Sequence, residues 1–179
     1  KKAFGQHFLL DLNITRKIAR LAGPLDGQTV IEVGPGPGGL TRALLEAGAR
    51  VIAVEKDARF LPLLEELAQA SGGALTLVEG DALKVDEASL LGATSGHVVS
   101  NLPYNVGTPL LIKWLTRPWR PQSMTLMFQK EVADRIAAPA GAEAYGRLSV
   151  IAQAVCTARV VMDLPPRAFT PPPKVASAV

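Results

Sequence analysis

Thr29-Val30-Ile31-Glu32-Val33-Gly34-Pro35-Gly36-Pro37-Gly38-Gly39 reads as strand and turn in eleven residues. Thr29 to Val33 is apolar, β-branched and short, as a buried strand is, and the glycines then break it. Leu40 to Glu46 has helical spacing and ends near Gly48. The same alternation recurs along the chain. Strands are predicted at Arg50–Val54, Leu75–Val78, Val98–Ser100, Ser123–Phe128, Arg159–Met162 and Val175–Val179. Helices are predicted at Ile14–Ala22 with Asn13 as cap, then at Ala58–Ala70, Pro109–Leu115, Glu131–Ala137 and Leu148–Val155. Strands alternating with helices imply an α/β fold, a mostly parallel seven-stranded sheet with helices on both faces. Ligands of such sheets sit beyond the carboxyl ends of the strands. Gly34, Glu55, Asp81 and Asn101 each follow one of the first four predicted strands, so they are expected to gather along one edge.

Gly34, Gly36 and Gly39 fit G-x-G-x-x-G, a pattern that nicotinamide and flavin enzymes also use. Glu32, just before the turn, favours a different ligand. A pyrophosphate at a helix N-terminus gains nothing from a nearby carboxylate, whereas the sulfonium and ammonium of S-adenosylmethionine do. Glu55 ends the second strand, where a carboxylate can hold both ribose hydroxyls. Asp81, in Glu79-Gly80-Asp81-Ala82, is placed to accept a bond from the cofactor adenine. Lys56 and Ala82 adjoin these two acids, and with Gly34, Gly36 and Asn101 they are candidate cofactor contacts.

Asn101-Leu102-Pro103-Tyr104 supplies an amide, extended backbone carbonyls and an aromatic ring at one strand end. The chain has only three asparagines, Asn13, Asn101 and Asn105, and two of them fall here. An adenine N6 lone pair is delocalised into its ring, so the amine is a poor nucleophile. The Asn101 carbonyl, with the backbone carbonyl of Leu102 or Pro103, can accept its N–H bonds out of plane and favour a pyramidal nitrogen. Tyr104 can stack on the base. Positioning then matters more than a strong base, and no general base is assigned. A base reached this way must be unstacked and held between rings. Phe169, in the proline-stiffened Phe169-Thr170-Pro171-Pro172-Pro173-Lys174, is the candidate second ring.

Bulk properties set the outer limits. The chain has 179 residues, is 48% hydrophobic and carries a net charge of +3, which fits one domain and allows an acidic partner. The single Cys156 excludes an internal disulfide, fits a reducing cytoplasm and is expected in the core. No apolar run reaches the roughly 18 residues of a membrane span. Lys1-Lys2 is followed by Gly5, Gln6 and His7, so no signal peptide is expected. Arg16, Lys17, Arg20, Arg117, Arg120, Arg147, Arg167 and Lys174 are candidates for a basic rim that meets phosphates. Trp114 is expected in the core, and Trp119 in loop packing.

Taken together, these motifs resemble the ribosomal RNA adenine N6-dimethyltransferases of the KsgA type. The matching segments are Phe4-Gly5-Gln6-His7-Phe8-Leu9, Glu32 to Gly38, Gly80-Asp81-Ala82, Asn101 to Asn105, and Phe169-x-Pro171-x-Pro173-Lys174-Val175-x-Ser177. They occur in the family's order across the chain. The resemblance implies a Rossmann-like class I S-adenosylmethionine-dependent methyltransferase fold. It implies dimethylation of two adjacent adenosines near the 3′ end of small-subunit rRNA, on a 30S precursor, by a cytoplasmic protein expected to be monomeric. It further implies that Gln6 to Leu9 closes over the cofactor, with Gln6, His7 and Leu9 in contact. Many members have Asn where this chain has His7. Members also continue past the Val175–Val179 strand into a helical RNA-binding domain. The sequence in hand ends at Val179, so residues 1–179 are expected to be the catalytic domain without it.

Other readings stay open. The antibiotic-resistance branch methylates large-subunit rRNA with similar machinery, although Leu102 within Asn-x-Pro-Tyr and the Phe169 to Ser177 segment lean against it. A DNA adenine methyltransferase shares Asn-x-Pro-Tyr but lacks the Gln6 to Leu9 match. A nicotinamide oxidoreductase leaves Asn101 to Tyr104 unexplained. A non-catalytic ribosome-assembly factor uses the same surfaces without turnover.

Overall fold

Val30 and Ile31 are sequence neighbours, both almost fully buried, yet they belong to different cores. Val98 and Val99 divide in the same way. Successive side chains of a strand point to opposite faces, so a continuous apolar run requires cover on both sides of the sheet. The computed structural model describes residues 6–179 and supplies that cover. Phe4 and Gly5 of the N-terminal motif lie outside the described residues.

In chain order the strands are β1 Phe8–Leu9, β2 Thr29–Val33, β3 Arg50–Glu55, β4 Leu75–Glu79, β5 Gly96–Asn101, β6 Met124–Gln129, β7 Asp163–Leu164, β8 Phe169–Thr170 and β9 Ser177–Ala178. The helices are α1 Leu12–Leu21, α2 Gly39–Glu46, α3 Leu61–Ala70, α4 Glu87–Leu91, α5 Gly107–Thr116, α6 Lys130–Ala137 and α7 Arg147–Gln153. The main sheet has seven strands in the order β4-β3-β2-β5-β6-β9-β7. The first five are parallel, and β9 is antiparallel to both neighbours. Ile18, Ala19, Leu40 and Leu44 from α1 and α2 build one core with Val30, Val51 and Val99. Leu110, Trp114, Ala133 and Ala152 from α5 to α7 build the other with Ile31, Val98 and Phe128.

Several predicted boundaries move. Asp11, not Asn13, caps α1; its carboxylate accepts from the Asn13 N–H at 2.8 Å. Arg159–Met162 is irregular, and the strand predicted there is two residues at Asp163–Leu164. The Val175–Val179 strand is shortened to Ser177–Ala178. The antiparallel pair β1 and β8, Phe8 with Thr170 and Leu9 with Phe169, had no sequence signal, because two-residue strands carry no periodicity.

Trp114 is in the core at 2% exposure, and Trp119 packs on the second cluster. Cys156 is exposed rather than buried. Among the described residues no helix is long and apolar enough to cross a membrane.

Candidate active site

The order β3-β2-β5 places the switch in winding direction between β2 and β5, and the site forms there. The β2–β5 ladder runs from Thr29–Gly96 to Ile31–Val98 and then stops. Beyond it the Ser100 hydroxyl takes over the pairing. Its Oγ accepts from the Val33 N–H at 3.2 Å and donates to the Val33 carbonyl at 2.7 Å. This side-chain bridge lets the strands separate without leaving the buried Val33 groups unpaired. Gly34 and Asn101 follow directly on either side of the gap. Sequence reading missed Ser100, since a buried serine in a strand looks like any small residue.

A cavity of about 150 Å³ opens at the ends of β2, β3 and β4. Its walls include Gln6, Gly34, Glu55, Lys56, Asp57, Asp81, Ala82, Asn105 and Leu110. A narrower hollow next to it is lined by Gln6, His7, Phe8, Gly34 and Asn101 to Tyr104. Gly34 and Gln6 belong to both, so the glycine turn and the Asn101 motif open onto one rim. A larger cavity of about 420 Å³ lies between β6 and residues 158–161 and contains none of these groups. The candidate residues line the smaller pair.

Glu55 is buried at 2% exposure. Its Oε1 accepts from the Gly36 N–H at 2.9 Å and its Oε2 from the Asp57 N–H at 3.1 Å. Burial raises its pKa, and these backbone donors oppose the rise. Each oxygen keeps a second lone pair for a ligand hydroxyl. Asp81 caps the turn at Ala82–Lys84, accepting from the Leu83 N–H at 3.0 Å, and its Oδ2 lies 3.8 Å from the Lys56 ammonium. Asp57, unmarked in the sequence, also lines the cavity. The Arg59 guanidinium, 2.5 Å away, holds its carboxyl below the ordinary value.

Glu32 does not do what its sequence position suggested. It is 2% exposed and accepts from Thr41 Oγ1, in the first turn of α2, at 2.5 Å. Burial pushes its pKa up to about 8; the Thr41 bond opposes this and the Glu55 charge adds to it. Near neutral pH the group is largely protonated and supplies little negative charge. The anionic character of the site therefore comes from Glu55, Asp57 and Asp81.

Asn101 ends β5 with its Nδ2 donating to the His7 carbonyl at 3.0 Å. The Pro103 carbonyl accepts from the Val106 N–H at 3.2 Å, which leaves the Leu102 carbonyl as the backbone acceptor. The Tyr104 hydroxyl bonds Ser177 Oγ at 2.8 Å, and its ring meets the His7 ring at 5.4 Å between centroids. His7 in turn has Nδ1 2.6 Å from the Pro171 carbonyl. The Gln6 to Leu9 segment thus lies over the glycine turn and the Asn101 motif. A Cβ on Gly36, at φ +55°, would stand 2.6 Å from the Phe8 ring.

Phe169 is a correction. It is 3% exposed and packs with Leu9, Leu164 and Val179 in the first core, so it does not face the hollow as a second stacking ring. Leu9 is a 4% exposed core residue that also lines a small hollow with Gly34, Pro35 and Asn101, and its carbonyl lies against Gly39. Of the basic candidates, Arg16 is engaged with Glu46 at 2.8 Å. Lys17, Arg20, Arg117, Arg120, Arg147, Arg167 and Lys174 are exposed.

The donor set can be tested against a cofactor. The Gly36 N–H, which a pyrophosphate needs, is taken by Glu55. Gln6 Oε1 is buried with no partner among the described residues, an acceptor suited to an N–H or O–H donor. Three carboxylates, a free amide oxygen and one lysine fit a cationic, hydroxyl-bearing nucleoside and disfavour a dinucleotide.

Comparison with known proteins agrees with this geometry. The family model described as ribosomal RNA adenine dimethylase matches residues 1–179. The chain is 74% identical over 179 residues to the Caulobacter vibrioides protein named ribosomal RNA small subunit methyltransferase A, covering all of this chain and 69% of that one. A dimethyladenosine transferase from Plasmodium falciparum superposes with a TM-score of 0.84 at 31% identity, over 96% of this chain and 61% of that one. The 23S rRNA methyltransferase ErmE superposes with a TM-score of 0.81 at 27% identity, over 96% of this chain and 67% of that one. This chain therefore spans roughly two thirds of the length of these proteins. With the family match running from end to end, the chain belongs to the ribosomal RNA adenine dimethylases and has their class I methyltransferase fold.

Proposed function

We propose that this chain is the catalytic domain of an S-adenosylmethionine-dependent rRNA adenine N6-dimethyltransferase. Its substrate is two adjacent adenosines near the 3′ end of small-subunit (16S) rRNA, presented on a 30S precursor in the cytoplasm, and it acts as a monomer. The observation that carries the reading is the shared rim. The acidic cavity at Glu55 and Asp81 and the acceptor cluster at Asn101 and Leu102 meet across Gly34.

When bound, S-adenosylmethionine supplies an electrophilic methyl group. Glu55 is placed to hold ribose hydroxyls, Asp81 with Lys56 and Ala82 lines the adenine end, and Gln6 offers a free acceptor. Asn101 Oδ1 and the Leu102 carbonyl accept N–H bonds from the target amine and keep its nitrogen lone pair out of the ring plane. The amine proton passes to water. Tyr104, fixed by Ser177, offers its face to the base once His7 has moved aside. Arg167 and Lys174, exposed on either side of β8, are suited to phosphate contacts.

The test is transfer of labelled methyl groups to undermethylated small subunits and, in parallel, to large-subunit RNA. Label on two neighbouring adenosines of the small-subunit RNA is expected. Label on large-subunit RNA instead would make this a resistance-type enzyme. Tight binding to precursor subunits without label would make it an assembly factor.

A further inference from the structure

The turn at Ala82–Lys84 forms the adenine end of the cavity; its entry is tied by the Gly80 N–H to the Glu55 carbonyl at 3.0 Å and by the Asp81 cap on the Leu83 N–H, while its exit is held less well from within. Gly80, just before it, has φ +157° with nothing within 4 Å of where a Cβ would stand. Inside the turn, the Lys84 N–H reaches the Asp81 carbonyl at 2.9 Å, but the closing bond from the Val85 N–H to the Ala82 carbonyl is long, 3.4 Å. A further restraint, one that reaches the exit of the turn, comes from another element. Lys113, on α5, donates to the Ala82 carbonyl at 2.9 Å, to the Val85 carbonyl at 2.5 Å and to Glu87 Oε1 at 2.6 Å. Three ammonium donors meet three acceptors, and both charged side chains are nearly out of solvent, at 13% and 8% exposure. Glu87 is held in turn by Trp114 Nε1 at 3.0 Å.

Lys113 lies one turn beyond Leu110, which lines the same cavity, and α5 begins three residues after Tyr104. One ammonium therefore clamps both ends of the adenine-side turn to the helix that leaves the amine pocket. We propose that Lys113 is a positioning residue for the adenosine half of the cofactor, acting through the Ala82 and Val85 carbonyls. This role rests on S-adenosylmethionine being the cofactor. A lysine used merely to stabilise the fold needs only its partner Glu87; the two bonds to carbonyls of the site turn are what couple it to binding.

Two variants separate these roles. Lys113→Met alone leaves Glu87 buried and unpaired, which lowers the melting midpoint. Lys113→Met with Glu87→Gln removes both charges and keeps an acceptor for Trp114, so the midpoint recovers. Affinity for S-adenosylhomocysteine, read by calorimetry, stays about tenfold weaker in the double variant. Hydrogen exchange at residues 82–86 stays fast. In turnover, KM for S-adenosylmethionine rises while kcat at saturation is retained. A double variant that binds as tightly as the wild type, or whose 82–86 amides remain protected, overturns the role of Lys113. A wild-type protein that fails to bind S-adenosylhomocysteine removes the cofactor assignment, and this proposal with it.

Discussion

The side chain of Asn101 donates to the backbone carbonyl of His7 at 3.0 Å. That bond decides which end of the amide is free. With Nδ2 held by the covering segment, Oδ1 is the end left for an incoming amine. Asn101→Ala removes the acceptor, and Asn101→Asp sets a carboxylate oxygen against the His7 carbonyl. Methyl transfer is expected to fall by about 100-fold or more in either variant, the scale seen when one oriented polar group is lost from a site where charge develops. The loss should lie mainly in kcat, measured under single turnover, with the smaller change in S-adenosylhomocysteine affinity. Full activity in Asn101→Ala removes this residue from the amine pocket.

Glu32 gives a prediction about pH. Its pKa is raised by burial from the ordinary 4.5 to about 8. Between those values the folded chain holds a proton that the unfolded chain has released. The stability Glu32 contributes is therefore complete below about pH 4.5 and is lost as pH rises through 8. Every tenfold difference in proton affinity between the two states is worth about 1.4 kcal/mol. Glu32→Gln, which retains an acceptor for Thr41, should melt near the wild type at about pH 4.5 and below. It should melt progressively above the wild type as pH rises from there to about 8, and by a constant margin beyond. Parallel melting curves over that range would show the carboxyl to be ionised already in the folded state.

Ser100 predicts a coupling between fold and site. Ser100→Ala leaves both the N–H and the carbonyl of Val33 without the hydroxyl that joins them to β5. Leaving buried polar groups unpaired costs about 1–3 kcal/mol, read as a lower denaturation midpoint. The loss should also loosen the spacing between Gly34 and Asn101, so cofactor affinity and kcat should both fall. A stable variant with unchanged kinetics would show that the strands hold their separation without the bridge.

The sheet was legible because its signal is local. Val30–Ile31 and Val98–Val99 are apolar neighbours, and such runs occur where both faces are covered. Strand ends could then be read from Gly34, Glu55, Asp81 and Asn101, and the parallel order brings those ends onto one rim. What could not be read was orientation and cover. Glu32 and Glu55 are both acidic and both end in or beside the turn. Only the fold shows that one is spent on Thr41 while the other faces the cavity. The proline-rich loop of Phe169 points to a ring held over the base, yet the pairing of Phe169 with Leu9 puts it in the core. Lys113 carries no signal in the sequence, since its three acceptors come from a segment about thirty residues away.

Gly39 tests how the covering segment is seated. It has ordinary backbone angles, so its need for glycine is one of space alone: a Cβ there would stand 2.5 Å from the Leu9 carbonyl oxygen. That neighbour is backbone and cannot rotate away. Gly39→Ala must therefore push β1 off the start of α2, breaking its pairing with β8 and the Asn101–His7 bond that depends on it. Overpacking of this kind costs about 1–3 kcal/mol. Protease cleavage around residues 6–10 should become faster, and hydrogen exchange at Leu9 and Thr170 should rise, while the central strands stay protected. Methyl transfer should fall with it, because the Asn101 amide loses the acceptor that orients it. If instead cleavage and exchange match the wild type, the segment is anchored by its own side chains, and its fit against the glycine turn is incidental.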